Sequence, residues 1–160
     1  MKHRSTRQTG VTLVEMIVVL ALVGFIAALA FPAVTSGLDS IRLTSASDSV
    51  VSFLNAGLNR AERRQVPVEI IVSIPENKLK LFSVDTTREL NMPEQIRIVR
   101  IHPVLPSGED EERSFVLYPG GAVPRLGVEI VSERGFRRIV RVDPITGIPQ
   151  VEQPPREDTK

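Results

Sequence analysis

The run from Val11 to Val34, VTLVEMIVVLALVGFIAALAFPAV, carries a single charged side chain, Glu15. A helix rises about 1.5 Å per residue, so roughly 20 residues cross a hydrocarbon core about 30 Å thick. The run is long enough. It is apolar on every helical face, and a chain of 160 residues is too small to bury such a helix inside a soluble domain. The expected structure is a membrane-spanning helix. Residues 1–10 before it hold Lys2, Arg4 and Arg7 and no acid. Removing those three from 20 Lys+Arg leaves 17, against 19 Asp+Glu, so the positive balance of the chain sits in this short leader. A basic flank stays on the cytoplasmic side, which sends everything after Pro32 to the other side.

Three residues do not suit a plain anchor. Glu15 lies near one end of the apolar run, where a carboxylate costs roughly 2.5–3.5 kcal/mol on insertion scales and calls for a partner. Pro32 interrupts a pattern that otherwise continues as helix, and it removes a backbone donor there. Gly10 stands at the junction of leader and apolar run.

Taken in order, the basic leader, Gly10-Val11-Thr12-Leu13-Val14-Glu15 and the apolar helix resemble the type IV pilin and type II secretion pseudopilin family. The resemblance implies cleavage by a prepilin peptidase between Gly10 and Val11, and N-methylation of the new terminus at Val11. Phe or Met is usual at that place, and Val departs from the pattern. It also implies that Pro32 bends the helix and that Glu15 pairs with the α-amine of a neighbouring subunit's Val11. Such a pair sets register among parallel helices, because opposite charges in a low-dielectric bundle offset each other's desolvation. An ordinary signal peptide is the competing reading. Ala28-Leu29-Ala30 offers a small-residue cut that would release a soluble protein starting at Phe31, but a charge at Glu15 inside the apolar region argues against it.

After Pro32 the pattern becomes amphipathic. Val34, Leu38, Ile41, Val51, Leu54, Leu58 and Ala61 recur at three- or four-residue steps, with a polar gap at residues 44–49. Arg60, Arg63 and Arg64 gather where cations suit a helix C-terminus, and Pro67 stops it. One helix is expected from about Thr12 to Gln65, its second half packed along a sheet, with Gly37 and Gly57 as weak points of about 1 kcal/mol each. Seven short strands follow: 68–74, 78–84, 95–102, 114–118, 125–132, 136–142 and 148–152. Turn sequences at Pro75-Glu76-Asn77, Pro119-Gly120-Gly121, Glu133-Arg134-Gly135 and Pro144–Gly147 separate several of them. The fold class is α+β: a long N-terminal membrane-spanning helix, then an antiparallel β-sheet domain, as in pilins. The divisions are 1–10 leader, 11–34 membrane half, 35–66 amphipathic half, 67–152 β domain and 153–160 disordered tail. Within the β domain, Phe115–Gly121 (FVLYPGG), Arg138–Val142 (RIVRV) and Thr146-Gly147-Ile148 are similar to H-type minor pseudopilins and their FimT-like relatives. Residues 67–113 resemble nothing assignable.

Enzymatic chemistry finds little footing. There is no Cys, and the histidines are His3 and His102, so a transition-metal site lacks its usual ligands. No phosphate-binding or dinucleotide glycine motif and no nucleophile elbow occurs. The acidic run Glu109–Glu112 lacks the alternating spacing of a calcium loop and reads as a solvated loop. Arg134, Arg137, Arg138 and Arg141 form a basic hairpin. DNA-uptake relatives bind DNA through a basic C-terminal region, so nucleic acid is weighed here. Glu129, Glu133 and Asp143 lie close enough in sequence to pair with these arginines, and Phe136 is the one aromatic among them. A salt-bridged face is the preferred reading.

The expectation is therefore a non-enzymatic structural subunit: a minor pseudopilin of a type II secretion system. No cofactor, metal or small-molecule substrate is expected. The implied partners are other pilins or pseudopilins through helix packing, the prepilin peptidase and the inner membrane. The chain would be single-pass, N-terminus cytoplasmic and C-terminal domain periplasmic, and then part of a periplasmic filament. A minor type IV pilin, including one for DNA uptake, and a soluble β-domain released by signal peptidase are the alternatives.

Overall fold

The computed structural model describes residues 11–105 and 111–153, the side chains of 29–36 excepted. Helix α1 runs Leu13–Arg64. Eight strands follow: β1 (Val68–Ser73), β2 (Lys78–Ser83), β3 (Thr86–Asn91), β4 (Ile96–His102), β5 (Glu112–Leu117), β6 (Gly127–Ser132), β7 (Arg137–Val142) and β8 (Pro149–Glu152). The α+β class, with a long N-terminal helix before antiparallel sheets, is as expected. The chain divides into two compact units, residues 1–38 and 39–160.

In the first unit every described side chain from Val11 to Ala28 is exposed. Leu13 is 76% and Phe25 64% exposed. The apolar helix thus carries its hydrophobic surface outward on all sides. Among the described residues no helix is both long and apolar enough to cross a membrane, the described side chains of this half ending at Ala28. The bend expected at Pro32 falls on residues whose side chains lie outside the description. So do the leader with Gly10, Glu109 and Asp110 of the acidic run, and the tail from 154 onward.

The second unit holds the core. Its strands form two four-stranded antiparallel sheets, ordered β3-β2-β1-β5 and β4-β6-β7-β8. The helical part of this unit buries Leu43, Ala46, Val50, Phe53, Leu54 and Ala61. This corrects the stripe read from the sequence. Leu38 and Ile41 are 46% and 66% exposed, and the supposed polar gap contains the buried Ala46 and Ser47. The buried face mixes large and small side chains, and the Ser47 hydroxyl donates to the Leu43 carbonyl at 2.7 Å, so its burial leaves no polar atom unpaired. Gly57 is likewise no mere weak point. A Cβ there would sit 2.9 Å from Ile70 Cδ1 and 3.2 Å from Leu81 Cδ1, so glycine sets the helix-to-sheet spacing.

All seven expected strands are present. The sequence reading missed β3, an edge strand, TTRELN, of which only Leu90 is a large apolar residue; exposed on most positions, it shows no inside-outside alternation. Its register with β2 is continuous from Lys78↔Asn91 to Ser83↔Thr86. Arg60 anchors the β2–β3 turn to the helix through Asp85 and, at 2.8 Å, Thr86 Oγ1. In the Asp143–Gly147 turn, the Asp143 carboxylate accepts from the amides of Ile145 and Thr146, which holds it below the ordinary aspartate range.

Asn77 ties the two sheets together. It sits in the β1–β2 turn at φ 50°, a conformation asparagine tolerates better than most residues. Its side-chain amide donates to the Ile96 carbonyl at 2.8 Å, and its side-chain oxygen accepts from the Ile98 amide at 2.9 Å. One side chain thereby satisfies the free edge of β4 as a neighbouring strand would. We expect Asn77→Ala to remove both bonds, strain the turn and cost about 2 kcal/mol. Urea unfolding of the full chain in detergent, with hydrogen exchange at the Ile98 amide, checks this. Unchanged stability and unchanged Ile98 protection would show that the sheets are held by packing alone.

Candidate functional site

The N-terminal candidate begins with a helix cap. Thr12 immediately precedes α1, and its Oγ1 accepts from the Glu15 amide at 3.3 Å, while its carbonyl accepts from the Met16 amide at 3.2 Å. Thr12-Leu13-Val14-Glu15 is thus the Thr-x-x-Glu pattern of a capping box, with Thr12 as the N-cap. The cap, two residues beyond Gly10, fixes the helix start at Leu13. It also places Glu15 in the first turn, where a carboxylate is favoured by the positive end of the helix dipole. Val11 is 66% exposed. Glu15 is exposed and has no salt bridge among the described residues.

The second candidate lies on the outward face of the β4-β6-β7-β8 sheet. Register makes it a grid. Across one row stand Arg97, Val131 and Arg137; across the next, Arg100, Glu129, Ile139 and Glu152; across the third, His102, Gly127, Arg141 and Gln150. Glu129 is the centre. Its side chain is only 3% exposed, and Arg137 Nη1 lies 3.0 Å from one carboxylate oxygen. The other oxygen faces His102 Nε2 at 3.3 Å and Arg100 Nη1 at 3.6 Å. Arg141 reaches Glu152 at 3.3 Å. The missing side chain at Gly127 leaves the space over which His102 closes, since a Cβ there would meet His102 Cβ at 3.0 Å.

The basic hairpin expected from the sequence is therefore split. Arg137 and Arg141 share the outward face. Arg138 is paired with Ile130 and belongs to the opposite face. Arg134, in the β6–β7 turn, pairs with Asp39 at 2.7 Å. Of the acids expected to pair, Glu129 does so, whereas Asp143 is committed to its own turn. Arg97, Arg100 and His102 were missed because of a β-bulge between Ile98 and Arg100. Strict alternation would put Arg97 and Arg100 on opposite faces; the extra residue, Val99, brings them to the same one. Among the described residues no cluster of His, Cys, Asp or Glu is suited to a metal.

The carboxylate is the buried member of this cluster, and its two arginines are about half exposed. Removing the buried charge should then cost less than stranding it. We expect Glu129→Leu to change stability by less than about 1 kcal/mol. The double variant Arg100→Gln/Arg137→Gln should lose about 3 kcal/mol, because it strands the carboxylate. Denaturant unfolding of the full chain measures both; the reverse order of costs would contradict this electrostatic account.

Set beside known families, the chain matches at its N-terminus. The family described as the prokaryotic N-terminal methylation motif matches residues 5–31, which contain the cap, Glu15 and the junction at Gly10. No curated protein and no solved structure gives a significant match. Residues 5–31 thus carry the likeness to an N-terminal methylation motif, and the rest of the chain lies outside that match.

Proposed function

We propose that the chain is a structural minor pseudopilin of a type II protein secretion system, held in the inner membrane before assembly and packed afterwards into a periplasmic filament. The observation that carries this reading is the apolar half of α1, exposed on every side and opened by the methylation motif. Apolar surface of that extent needs lipid or other helices. A subunit that passes from bilayer to helical bundle satisfies the need in both places. The resemblance of Phe115–Gly121 and Arg138–Val142 to H-type minor pseudopilins supports the choice of secretion system.

The mechanism starts with cleavage after Gly10 by the prepilin peptidase. This frees an α-amine on Val11, which is then methylated and stays cationic. A cation at the positive end of a helix dipole is disfavoured and needs an anion close by. Glu15 of a neighbouring subunit, one turn into a parallel helix, supplies it, and the pair sets the axial register. Thr12 fixes the helix start, so the distance along the helix from amine to carboxylate is constant in every subunit. The β domain then faces the periplasm, with the N-terminal side of the helix toward the cytoplasm.

Glu15→Val tests this. The change makes membrane insertion easier by roughly 3 kcal/mol, so a plain anchor would tolerate it. A neighbour's amine that loses its buried partner is penalised by roughly 3–5 kcal/mol. We expect the variant to insert and to be cut to a mature chain beginning at Val11, as read by intact mass, but to drop out of the filament and abolish export. Normal secretion by Glu15→Val contradicts the charge-pair mechanism, and a mature start at Phe31 contradicts the whole reading.

A further inference from the structure

The arginine grid on the β4-β6-β7-β8 sheet points to an interaction surface. We infer that this face docks an extended acidic segment of a partner polypeptide, with Glu129 as the positioning residue that aims the arginines at it. This inference stands apart from the filament mechanism at Glu15 and does not depend on it.

Charge complementarity comes first. Arg97, Arg100, Arg137 and Arg141 stand on the face against Glu129 and Glu152, leaving a net positive surface. The geometry of the ion pairs comes second. Glu129 is buried, yet Arg100 and Arg137 are 48% and 44% exposed. A guanidinium has five donors, so an arginine that gives one nitrogen to Glu129 still offers others outward in a fixed fork suited to a carboxylate. A buried carboxylate adds little net stability. What it does here is hold two long side chains in place, which lowers the entropy lost when a ligand binds. Spacing comes third. Arg137 and Arg141 lie on one face of β7 at two-residue steps through Ile139, about 13 Å apart at 3.3 Å per residue. An extended peptide repeats its own side chains at the same steps.

A polypeptide fits this face better than nucleic acid. Single strands bind sheets by stacking bases on aromatic side chains; no Phe, Tyr or Trp stands on the grid, and its one ring, His102, is turned to Glu129 and only 18% exposed. The Glu129 carboxylate at the centre and Glu152 at the rim oppose a continuous phosphate backbone, whereas separated acids of a peptide can step around them.

The test uses the full chain in uncharged detergent and three probes: a short peptide of alternating Glu and Ser, single-stranded DNA and duplex DNA. The expected result is saturable peptide binding that weakens with salt and exceeds DNA binding at the same ionic strength. Arg97→Gln/Arg141→Gln should weaken it by about tenfold or more. Arg63→Gln/Arg88→Gln, the same change of charge on α1 and on β3, should leave it unaltered. Glu129→Leu is the sharpest variant, because it makes the face more positive. Attraction by net charge alone predicts tighter peptide binding; arginines held by Glu129 predict binding weaker by several-fold. Absent peptide binding, preferential DNA binding, equal loss in the two arginine pairs, or tighter binding by Glu129→Leu would each overturn the inference.

Discussion

The structure depends on where the hydrophobic surface of one helix goes. From Asp39 onward α1 turns a narrow stripe inward and shares in a closed core. Between Val11 and Ala28 it shows Leu, Val, Ile and Phe exposed on every side. Burying apolar area is the main favourable term in folding and in association, and here half of the helix leaves that term unspent within the single chain. A membrane or a bundle of like helices must supply it. Glu15 matters against that background, since a lone carboxylate in such surroundings is expensive until a cation joins it.

The second half of the helix turns one face inward, with Leu43, Val50, Phe53 and Leu54 set among the smaller Ala46, Ser47 and Ala61. At Gly57 it comes close to β1, β2 and β5, while Leu38 and Ile41 stay outside. The two sheets are antiparallel throughout, and Asn77 joins them by serving as a strand for β4. Tight turns held by side chains or glycines of positive φ complete the frame: Gly120 at 63°, Gly135 at 84° and Gly147 at 70°.

Much of this was legible in the sequence, for identifiable reasons. The apolar run, its leader and Glu15 are a one-dimensional pattern and need no tertiary information. The strands with alternating Val and Ile, and the turns around Asn77, Gly120, Gly135 and Gly147, carry local signals that the structure honours. What failed depended on neighbours far along the chain. The helix phase was misread because the stripe was carried on from Val34, Leu38 and Ile41, so that Leu43, Ala46, Val50 and Phe53 were passed over. Strand β3 is an edge with polar side chains and is held by pairing to β2. The arginine grid was invisible because the bulge at Val99 resets alternation, and because Arg100 and Arg137 meet only through Glu129, a residue on the strand between them. Arg138 and Arg134, neighbours in sequence, went elsewhere.

The central claim is that the charge at Glu15 answers the charge at a neighbour's Val11, not at its own. Both pairings are compatible with a first-turn carboxylate behind a Thr12 cap, and they differ only in which copy supplies the amine. Solid-state NMR on filaments assembled from a mixture of copies separates them directly. In half the copies the Val11 amine is labelled with nitrogen-15; in the other half the Glu15 carboxyl is labelled with carbon-13. The account predicts a dipolar contact between differently labelled copies, at about 4 Å. A contact seen only when both labels sit in one chain, or none in either sample, would contradict it.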